Sequence, residues 1–347
     1  MGALVIGAQA ISVAVLGAGA IGRYHAQTIA QRVPGARLAV VADPLAEVAS
    51  SAGAELACAF TSDVDAVLAD RGVDAVVIAT PGHTHADLIA RAASAGKPAF
   101  CEKPLSWDLA TADAALAAVQ RAGTLLQIGF QRRFDPAFVR AHELASSGAL
   151  GQVQLLRSIT RDPKLTNPER VPPWAIFRET LIHDFDVLCW MAGCEPVEVF
   201  AYADALIAPA HRATGLRDTA TVQVRFESGA LAVADASFQA VYGYDVRAEV
   251  FGSKGMVAAE PKAGSGAVVY TPDGERRDRV FWYLDLFGGA YTAELVAFVD
   301  AVRHRHPSPV PGHEARRALA IAMAAIESVD AHRPVTIARA RSLEVSA

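Results

Sequence analysis

The chain has 347 residues, a formal net charge of -5 and four cysteines, none in the C-x-x-C spacing of a metal site. This length is typical of two domains, each large enough for its own apolar core. The absence of a basic excess argues against a nucleic-acid partner, which needs clustered Lys and Arg. We expect reduced thiols without disulfides, in a cytoplasmic protein.

The uncharged segment 1–22 has the apolar character of a signal or membrane segment. It lacks a basic start, contains Gln9 and Ser12, and ends in glycines, so a buried strand is the better interpretation. No other stretch approaches the apolar length that spans a bilayer, and we expect no membrane partner.

The first third of the chain alternates strands and helices. A largely apolar strand, 11–16, precedes a glycine-rich turn and a helix that ends before Pro34. The following predicted elements are strands ending at Asp43 and Thr80, a helix at 63–69, a helix from an N-cap at Thr84 to Gly96, a strand at 98–101, a helix capped by Asp108 and a strand at 124–130. This alternation predicts a parallel sheet with right-handed crossovers.

From about residue 150 the pattern changes to strands joined by tight turns such as 227–229. The predicted strands are 153–161, 197–206, 219–227, 230–239 and 244–252, and the predicted helices lie near 179–191, 291–305 and 313–331. The fold class is therefore α/β. We expect an N-terminal Rossmann dinucleotide-binding domain, residues 1–130, and a C-terminal α+β domain, residues 131–347, with a largely antiparallel open sheet.

The turn G-A-G-A-I-G carries the cofactor prediction. Gly17, Gly19 and Gly22 follow a buried strand and open a helix, and Asp43 ends the next strand, where the dinucleotide fingerprint places its acid. The glycines let the backbone approach a pyrophosphate, and the helix N-terminus supplies N–H donors. Asp43 would bind the adenosine ribose and repel a 2′-phosphate, so we expect NAD rather than NADP. A tight turn with a chance acid downstream is the alternative.

Lys103 lies in the stretch CEKPL, just past a predicted strand and directly before Pro104. A proline restricts the residue before it to extended conformations, so this lysine moves less freely than an ordinary surface lysine. Ligands of an open parallel sheet bind outside the carboxyl ends of its strands. We therefore expect the Lys103 ammonium near the nicotinamide side of the cofactor; the alternative is a lysine in a surface loop.

A second set of polar residues follows a helical spacing. Glu179, His183, Asp186 and Trp190 predict one helix face, and the apolar residues between them predict an opposite, buried face. Carboxylates beside a histidine favour and orient its protonated form, which suits a general base. The alternative is a solvated, ion-paired helix face.

The glycine fingerprint, A-T-P at 79–81 and E-K-P at 102–104 together resemble the Gfo/Idh/MocA family of oxidoreductases. Its inositol dehydrogenase branch in particular is resembled by the segments 129–136, 160–163, 177–186, 243–255 and 290–302. The resemblance implies NAD-dependent oxidation of a secondary hydroxyl of a cyclic polyol, first of all myo- or scyllo-inositol. An aldose or anhydrosugar dehydrogenase and a non-catalytic nucleotide-sensing regulator are the alternatives. Retention of Lys103 and His183 argues against the regulator.

The resemblance also implies the site residues. His183 would take the hydroxyl proton, Lys103 would hydrogen-bond the reacting oxygen, and Glu179 would support the relay, although the inositol branch usually has aspartate at that position. Other substrate hydroxyls fall to Arg132, Asp186 and Tyr244. Thr160 stands where a relative carries histidine. The implied cofactor contacts are Gly17, Gly19, Ala20, Ile21, Gly22, Asp43, Ala79, Thr80, His85, Glu102, Lys103 and Gln131. The resemblance further implies a homo-oligomer, with a tetramer expected.

Other features favour structural interpretations. We expect no metal at His83 and His85, which border a helix start, nor at His304 and His306 in a basic helix end. The prolines of segment 163–173 predict a stiff connection. It is interpreted either as a substrate lid, with Trp174 against an apolar ring face, or as a packed connection.

Overall fold

The computed structural model describes residues 10–260, 264 and 267–339, so the start of the predicted N-terminal strand segment lies outside it. The chain divides into two compact units, Met1–Gly129 with Tyr291–Gly312, and Phe130–Ala290 with His313–Ala347. The predicted boundary at 130 lies next to the first junction. The predicted ranges differ from these units at Phe130, which belongs to the second unit, and over the segment from Tyr291 to Gly312, which belongs to the first.

The first unit is built on a six-stranded parallel sheet with the order β3-β2-β1-β4-β5-β6. Its strands are β1 (Ile11–Leu16), β2 (Ala36–Ala42), β3 (Ala59–Thr61), β4 (Ala75–Ile78), β5 (Ala99–Glu102) and β6 (Leu126–Gly129). Its helices are α1 (Ala20–Arg32), α2 (Ala46–Leu56), α3 (Val64–Ala69), α4 (His85–Ser94) and α5 (Leu109–Ala122). This is the strand order of a dinucleotide-binding Rossmann domain, which confirms the predicted class.

The order reverses between β1 and β4, which pair in parallel. Both strands are buried along nearly their whole length, as expected for a parallel sheet covered on two faces. Ligands of such sheets bind outside the carboxyl ends of the strands at this reversal. The glycine turn after β1 and the A-T-P segment after β4 both lie there.

Two helices of the first unit, α3 and α5, begin at aspartate caps. Asp63 accepts a hydrogen bond from the Ala66 amide, and Asp108 accepts one from the Thr111 amide, which confirms the predicted Asp108 cap. Thr84 occupies the predicted N-cap position directly before α4, but its side chain makes no capping hydrogen bond. A 3-10 turn, Gly82–Thr84, leads into α4, and the Thr84 hydroxyl donates to the Pro81 carbonyl instead of accepting from a helix amide.

The second unit is built on a seven-stranded sheet; among its described strands, β7 and β10 are the one parallel pair. Its helices are α6 (Pro136–Ser146), α7 (Leu181–Ala192), α8 (Tyr283–His304), whose residues from Tyr291 belong to the first unit, and α9 (Gly312–Ala331). The strands, in the order β12-β11-β7-β10-β9-β8-β15, are β7 (Val153–Arg161), β8 (Pro196–Asp204), β9 (Thr219–Phe226), β10 (Leu231–Ser237), β11 (Asp245–Gly252), β12 (Gly255–Ala259) and β15 (Val335–Thr336), with a separate hairpin of β13 (Val268–Thr271) and β14 (Gly274–Arg277). The largely antiparallel open sheet is as predicted.

The burial of β9 alternates strictly between exposed and buried residues, which is typical of a sheet covered on one face. Helix α7 packs on β7 and β10, and α6 packs on β11 and β12. The other face carries exposed apolar side chains, among them Leu155, Leu231 and Phe251. This face of the unit has no cover within the part of the chain that the structure describes.

Two helices differ from their predicted bounds. Helix α8 begins at Tyr283 instead of near 291, since burial of Leu286 and Phe287 outweighs the low helix propensity of the glycine pair that follows them. The chain enters α7 through a π-helical segment, Ile176–Thr180. Among the described residues, no helix combines the length and the apolar character that crossing a membrane requires.

Candidate active site

The glycine turn has the geometry of a pyrophosphate cradle. Gly17 has φ +97°, and a Cβ there would lie 2.5 Å from the Ala79 carbonyl oxygen, so only glycine fits. A Cβ on Gly22 would meet the Gly17 carbonyl, whereas one on Gly19 would meet open space. No side chain caps α1, which leaves the amides of Ala20, Ile21 and Gly22 available to an anion. The turn therefore fits the pyrophosphate of NAD.

Hydrogen bonds from backbone amides, one of them in the glycine turn, hold the Asp43 side chain in place. Its carboxylate accepts hydrogen bonds from the Ala18 amide at 2.9 Å and from the Leu45 amide at 3.0 Å. The side chain is partly exposed and lies directly after β2, where the fingerprint places its acid. These bonds hold the charge in a defined orientation next to the glycine turn.

The E-K-P turn is held by contacts within the first unit. Glu102 is buried, and its carboxylate lies 2.7 Å from His25 Nε2 and accepts from the Lys103 amide. Lys103 is half-buried and is joined to Pro104 by a cis peptide bond. The predicted cofactor ligand Glu102 is thus already engaged by a histidine, while Lys103 follows the end of β5 as expected.

His85 connects the A-T-P and E-K-P segments. Its ring is 1% exposed, with Nδ1 2.7 Å from the Pro104 carbonyl and Nε2 2.8 Å from the Thr80 carbonyl. Burial lowers the pKa of His85, and both carbonyls oppose that shift. The histidine ties together the loops that carry Thr80 and Lys103. Ala79 is buried at the base of this arrangement.

Helix α7 is buried on all sides over much of its length. His183 is 9% exposed and Asp186 is 1% exposed, so this helix face is not solvated, although Asp186 is ion-paired with Arg133. Glu179 lies in the π-helical segment, where the helical repeat differs from that of α7, so the predicted stripe is interrupted. The edge of the Phe130 ring packs near His183, with 5.9 Å between the ring centres.

A buried ion pair connects α7 to the turn that follows β6. Arg132 donates to Asp184 at 2.9 Å and to the Thr160 hydroxyl at 2.6 Å, and the Thr160 hydroxyl donates to Asp184 at 2.7 Å. Sequence reasoning did not identify Asp184. An aspartate inside an otherwise apolar helix is the signal, because a buried charge requires a partner.

Arg133, which follows Arg132, and Asp186 on α7 form a second buried ion pair. Arg133 donates to both oxygens of Asp186, at 2.8 and 2.6 Å, and also to Glu314. The guanidinium also lies 5.3 Å from the centre of the Trp190 ring, and that ring stacks on His142. Asp186 and Trp190 are therefore engaged within the second unit.

The second unit contains a cavity of about 590 Å³. Its polar lining includes Glu179 and Tyr244, two of the predicted site residues, and its apolar lining includes the aromatic run 281–283. Burial raises the pKa of Tyr244 well above its ordinary value, and the charge of Asp162 acts in the same direction, so this phenol is neutral. Residues 162–167 and 170–172 complete one wall.

The proline-rich segment therefore lines the cavity, but Trp174 packs elsewhere in the second unit. The Arg217 guanidinium lies 4.9 Å from the centre of the Trp174 ring, and Phe177 packs beside it. The aromatic run Phe281-Trp282-Tyr283 lines the cavity instead, and sequence reasoning did not identify it. The sequence signal for this wall is a run of three adjacent aromatic residues. In the structure, two of them are more than half exposed, which is typical of a binding surface.

The remaining candidates are placed as follows. Gln131 is 3% exposed and lies in the short turn Gln131–Phe134 of the second unit. His83 packs edge-on to Trp107. His304 and His306 are exposed, and both contact Asp300, at 3.0 and 2.8 Å. All four cysteines have free thiols.

Two family models match the chain and together cover most of it. Residues 11–130 match the oxidoreductase family with an NAD-binding Rossmann fold, named for GFO, IDH and MocA. Residues 138–258 match the GFO/IDH/MocA C-terminal domain. The first match covers the glycine turn, Asp43 and Lys103, and the second covers Glu179, His183 and Tyr244.

Individual relatives match over nearly the whole chain. The inositol 2-dehydrogenase of Rhizobium meliloti is 38% identical over 326 residues, which is 93% of this chain and 98% of the relative. The NAD-dependent scyllo-inositol 2-dehydrogenase of Bacillus subtilis is 35% identical, covering 93% of this chain and 95% of the relative. A crystal structure of myo-inositol dehydrogenase from Lactobacillus casei with NAD(H) and myo-inositol matches with a TM-score of 0.89 at 25% identity, covering 97% and 99% of the two chains.

Proposed function

We propose that this chain, which belongs to the Gfo/Idh/MocA family of oxidoreductases, oxidises a secondary hydroxyl of inositol to the ketone. The enzyme class, an NAD-dependent oxidoreductase acting on CH–OH groups, follows from the family model and from the inositol 2-dehydrogenase relatives. The substrate is the proposed part. Relatives named for myo-inositol and for scyllo-inositol are similarly distant, so the isomer is left to experiment.

One observation carries the substrate proposal, namely the composition of the cavity wall in the second unit. The exposed aromatic faces of Trp282 and Phe281 suit the C–H face of a carbon ring, and Glu179 and Tyr244 offer hydrogen bonds to hydroxyls at its edge. Inositol presents both kinds of surface. A ring without hydroxyls, or an open chain, would use only part of this wall.

The proposed chemistry assigns one step to each residue. NAD, held by the glycine turn and Asp43, would supply the acceptor for the hydride that leaves the substrate carbon. His183 takes the proton of the reacting hydroxyl as general base, and the Lys103 ammonium donates a hydrogen bond to the same oxygen. Glu179 receives the proton from His183 or orients that side chain, with an added methylene relative to the aspartate usual in the inositol branch. Arg132, Asp186 and Tyr244 are proposed to position further hydroxyls.

The buried ion pairs refine that last assignment. Arg132 is ion-paired with Asp184, and Asp186 is ion-paired with Arg133. If Arg132 and Asp186 also contact the substrate, they do so from positions that these ion pairs fix. Tyr244, in contrast, lines the cavity directly. We therefore propose Tyr244 as the direct hydroxyl ligand of the three.

The test is a panel of inositol isomers and aldoses, with NAD as oxidant and NADH absorbance as readout. We expect at least one inositol isomer to exceed every aldose in kcat/KM. Equal rates across the two groups would contradict the inositol proposal. Tight NAD binding without turnover of any polyol or sugar would favour a nucleotide-sensing role instead.

A further inference from the structure

Three titratable side chains form a buried cluster in the first unit, and the proposed chemistry uses none of them directly. His25 on α1, Glu102 at the end of β5 and Glu294 on α8 are exposed by 0%, 6% and 0%. Each side chain contributes one nitrogen or oxygen atom to the cluster, and these three atoms all lie within 4.8 Å of one another. Among the described residues, the two carboxylate oxygens of Glu294 have no hydrogen-bond partner. The Nδ1 atom of His25 also has none. Buried polar groups without partners are rare and call for an explanation.

The contacts of His25 and Glu102 assign one proton. His25 Nε2 lies 2.7 Å from Glu102 Oε1, and because Nδ1 faces no acceptor, we assign the ring proton to Nε2, donating to the carboxylate. Although burial opposes it, the hydrogen bond from His25 and the charge of Lys103 hold the pKa of Glu102 below its ordinary value. Glu102 is therefore the anion of the cluster.

Glu294 carries the second proton. Burial raises the pKa of Glu294 well above its ordinary value, and the charge of Glu102 raises it further. Two buried carboxyl groups this close do not both ionise, because each charge disfavours the other. Among the described residues, the other charged and titratable groups around the cluster are Tyr24 on α1, Cys101 on β5, Lys103 after β5, His85 on α4 and Tyr291 on α8.

The same three side chains supply donor atoms of the kind that bind a cation. The 2.7 Å contact between His25 and Glu102 argues against one, because the N–H and the carboxylate lone pair point at each other and not at a common centre. A proton in that contact satisfies both groups without any ion.

We propose that His25 and a neutral Glu294 are positioning residues that hold the Glu102 carboxylate and, through it, Lys103. Glu102 accepts from the Lys103 amide, so its placement fixes where the E-K-P turn leaves β5. His25 lies on the helix that follows the glycine turn, so the cluster also connects the cofactor cradle to the lysine. This inference rests on the proposed role of Lys103.

The test compares Glu294→Gln with Glu294→Ala. Glutamine has the shape of the neutral acid, so Glu294→Gln keeps kcat within about threefold of the wild type, whereas Glu294→Ala lowers kcat roughly 10-fold and shifts the pH profile of kcat. Glu47→Gln, on the exposed first turn of α2, is the matched control and changes neither. If Glu294→Ala does not fold, His25→Gln and His25→Leu give the same comparison, because only the glutamine amide can donate to Glu102.

A second readout does not depend on turnover. Glu294 is protonated in the folded protein but ionises in the unfolded chain above about pH 4.3. A raised pKa gives stability that is present at low pH and is lost as the pH rises towards the folded value. Glu294→Gln cannot ionise in either state, so its Tm relative to the wild type increases from pH 5 to pH 8, while that of Glu47→Gln does not.

The outcomes separate this inference from the proposed function. If the wild type oxidises no polyol, the proposed function is contradicted. The Tm comparison between Glu294→Gln and the wild type would still test whether Glu294 is neutral in the folded protein. Equal kcat in Glu294→Gln and Glu294→Ala, or a Tm difference independent of pH, would overturn the positioning cluster. A divalent cation retained in stoichiometric amount after dialysis against a chelator would overturn it as well.

Discussion

We propose that the Asp43 carboxylate discriminates between NAD and NADP. Amides of Ala18 and Leu45 hold it in place, so it cannot rotate away from a ribose phosphate. Because juxtaposed like charges cost several kcal/mol, we expect NAD to be preferred over NADP by roughly 100-fold in kcat/KM.

Substitution tests the origin of that preference. Asp43→Ser keeps a hydrogen-bonding side chain but removes the charge, so the ratio of kcat/KM for NAD to that for NADP should fall towards one. Initial rates with both cofactors measure it. An unchanged ratio would assign cofactor choice to another residue.

His183 is the proposed general base, and its removal should affect the chemical step more than binding. We expect His183→Ala to lower kcat by roughly 10²- to 10⁴-fold and to remove the acidic limb of the pH profile. Glu179→Asp should be milder, because a carboxylate remains and only its reach changes. His313→Ala, an exposed histidine of the same unit, is the control. An acidic limb that survives in His183→Ala would rule out this base.

At the scale of elements, two adjacent arginines fix α7 to the turn Gln131–Phe134. Arg132 pairs with Asp184, and Arg133 pairs with Asp186, all four side chains being buried. Breaking a buried pair by neutralising one partner leaves an uncompensated charge, which typically costs about 3–5 kcal/mol. We expect Asp184→Asn and Asp186→Asn each to lower the free energy of unfolding by about that amount in urea titrations.

The same two variants separate stability from substrate binding. If Asp186 also positions a substrate hydroxyl, as proposed, then KM for inositol rises in Asp186→Asn but not in Asp184→Asn. Equal KM values in the two variants would restrict Asp186 to its ion pair with Arg133.

Strands and caps that depend on local pattern were predictable from the sequence. The strands 153–161 and 11–16 and the Asp108 cap have the predicted positions, because alternating or continuous apolar residues and a capping carboxylate act over a few residues. The π-helical segment and the early start of α8 were not, because they depend on packing against distant residues. The partners of Glu102 and Asp186 were missed for the same reason.

The features of the candidate site also divide into those that the sequence predicted and those that it did not. The glycine turn and Lys103 were identified because their motifs are contiguous in the chain. The aromatic wall of the cavity and the buried histidine beside Glu102 were not, because each is separated from its partners by tens of residues and no local spacing indicates the contact.

At the scale of the whole molecule, the uncovered face of the seven-stranded sheet predicts self-association. Leu231 is 50% exposed and Phe251 is 40% exposed on this face, and an open sheet with exposed apolar residues requires a partner. We propose that further copies of the chain cover it and expect a homotetramer. Light scattering at micromolar protein measures the mass, and a monomer would contradict the proposal.

A charge on the proposed interface should dissociate the assembly. Leu231→Arg introduces a cation on β10, the middle strand of this face, and should reduce the mass. Leu206→Arg, 63% exposed and outside the strands of the sheet, is the matched control and should leave the mass unchanged. Equal masses for the two variants would place the contact elsewhere.

The measurement that tests the proposed chemistry most directly is turnover by Lys103→Met with the inositol isomer that reduces NAD fastest. We expect NAD affinity to stay close to that of the wild type, while kcat falls by roughly 10²- to 10⁴-fold, because the hydrogen bond to the reacting oxygen is lost. Combining Lys103→Met with His183→Ala should cost far less than the product of the two single effects, since both residues act on one proton transfer. Normal turnover by Lys103→Met would show that the lysine is a loop residue and would contradict the mechanism.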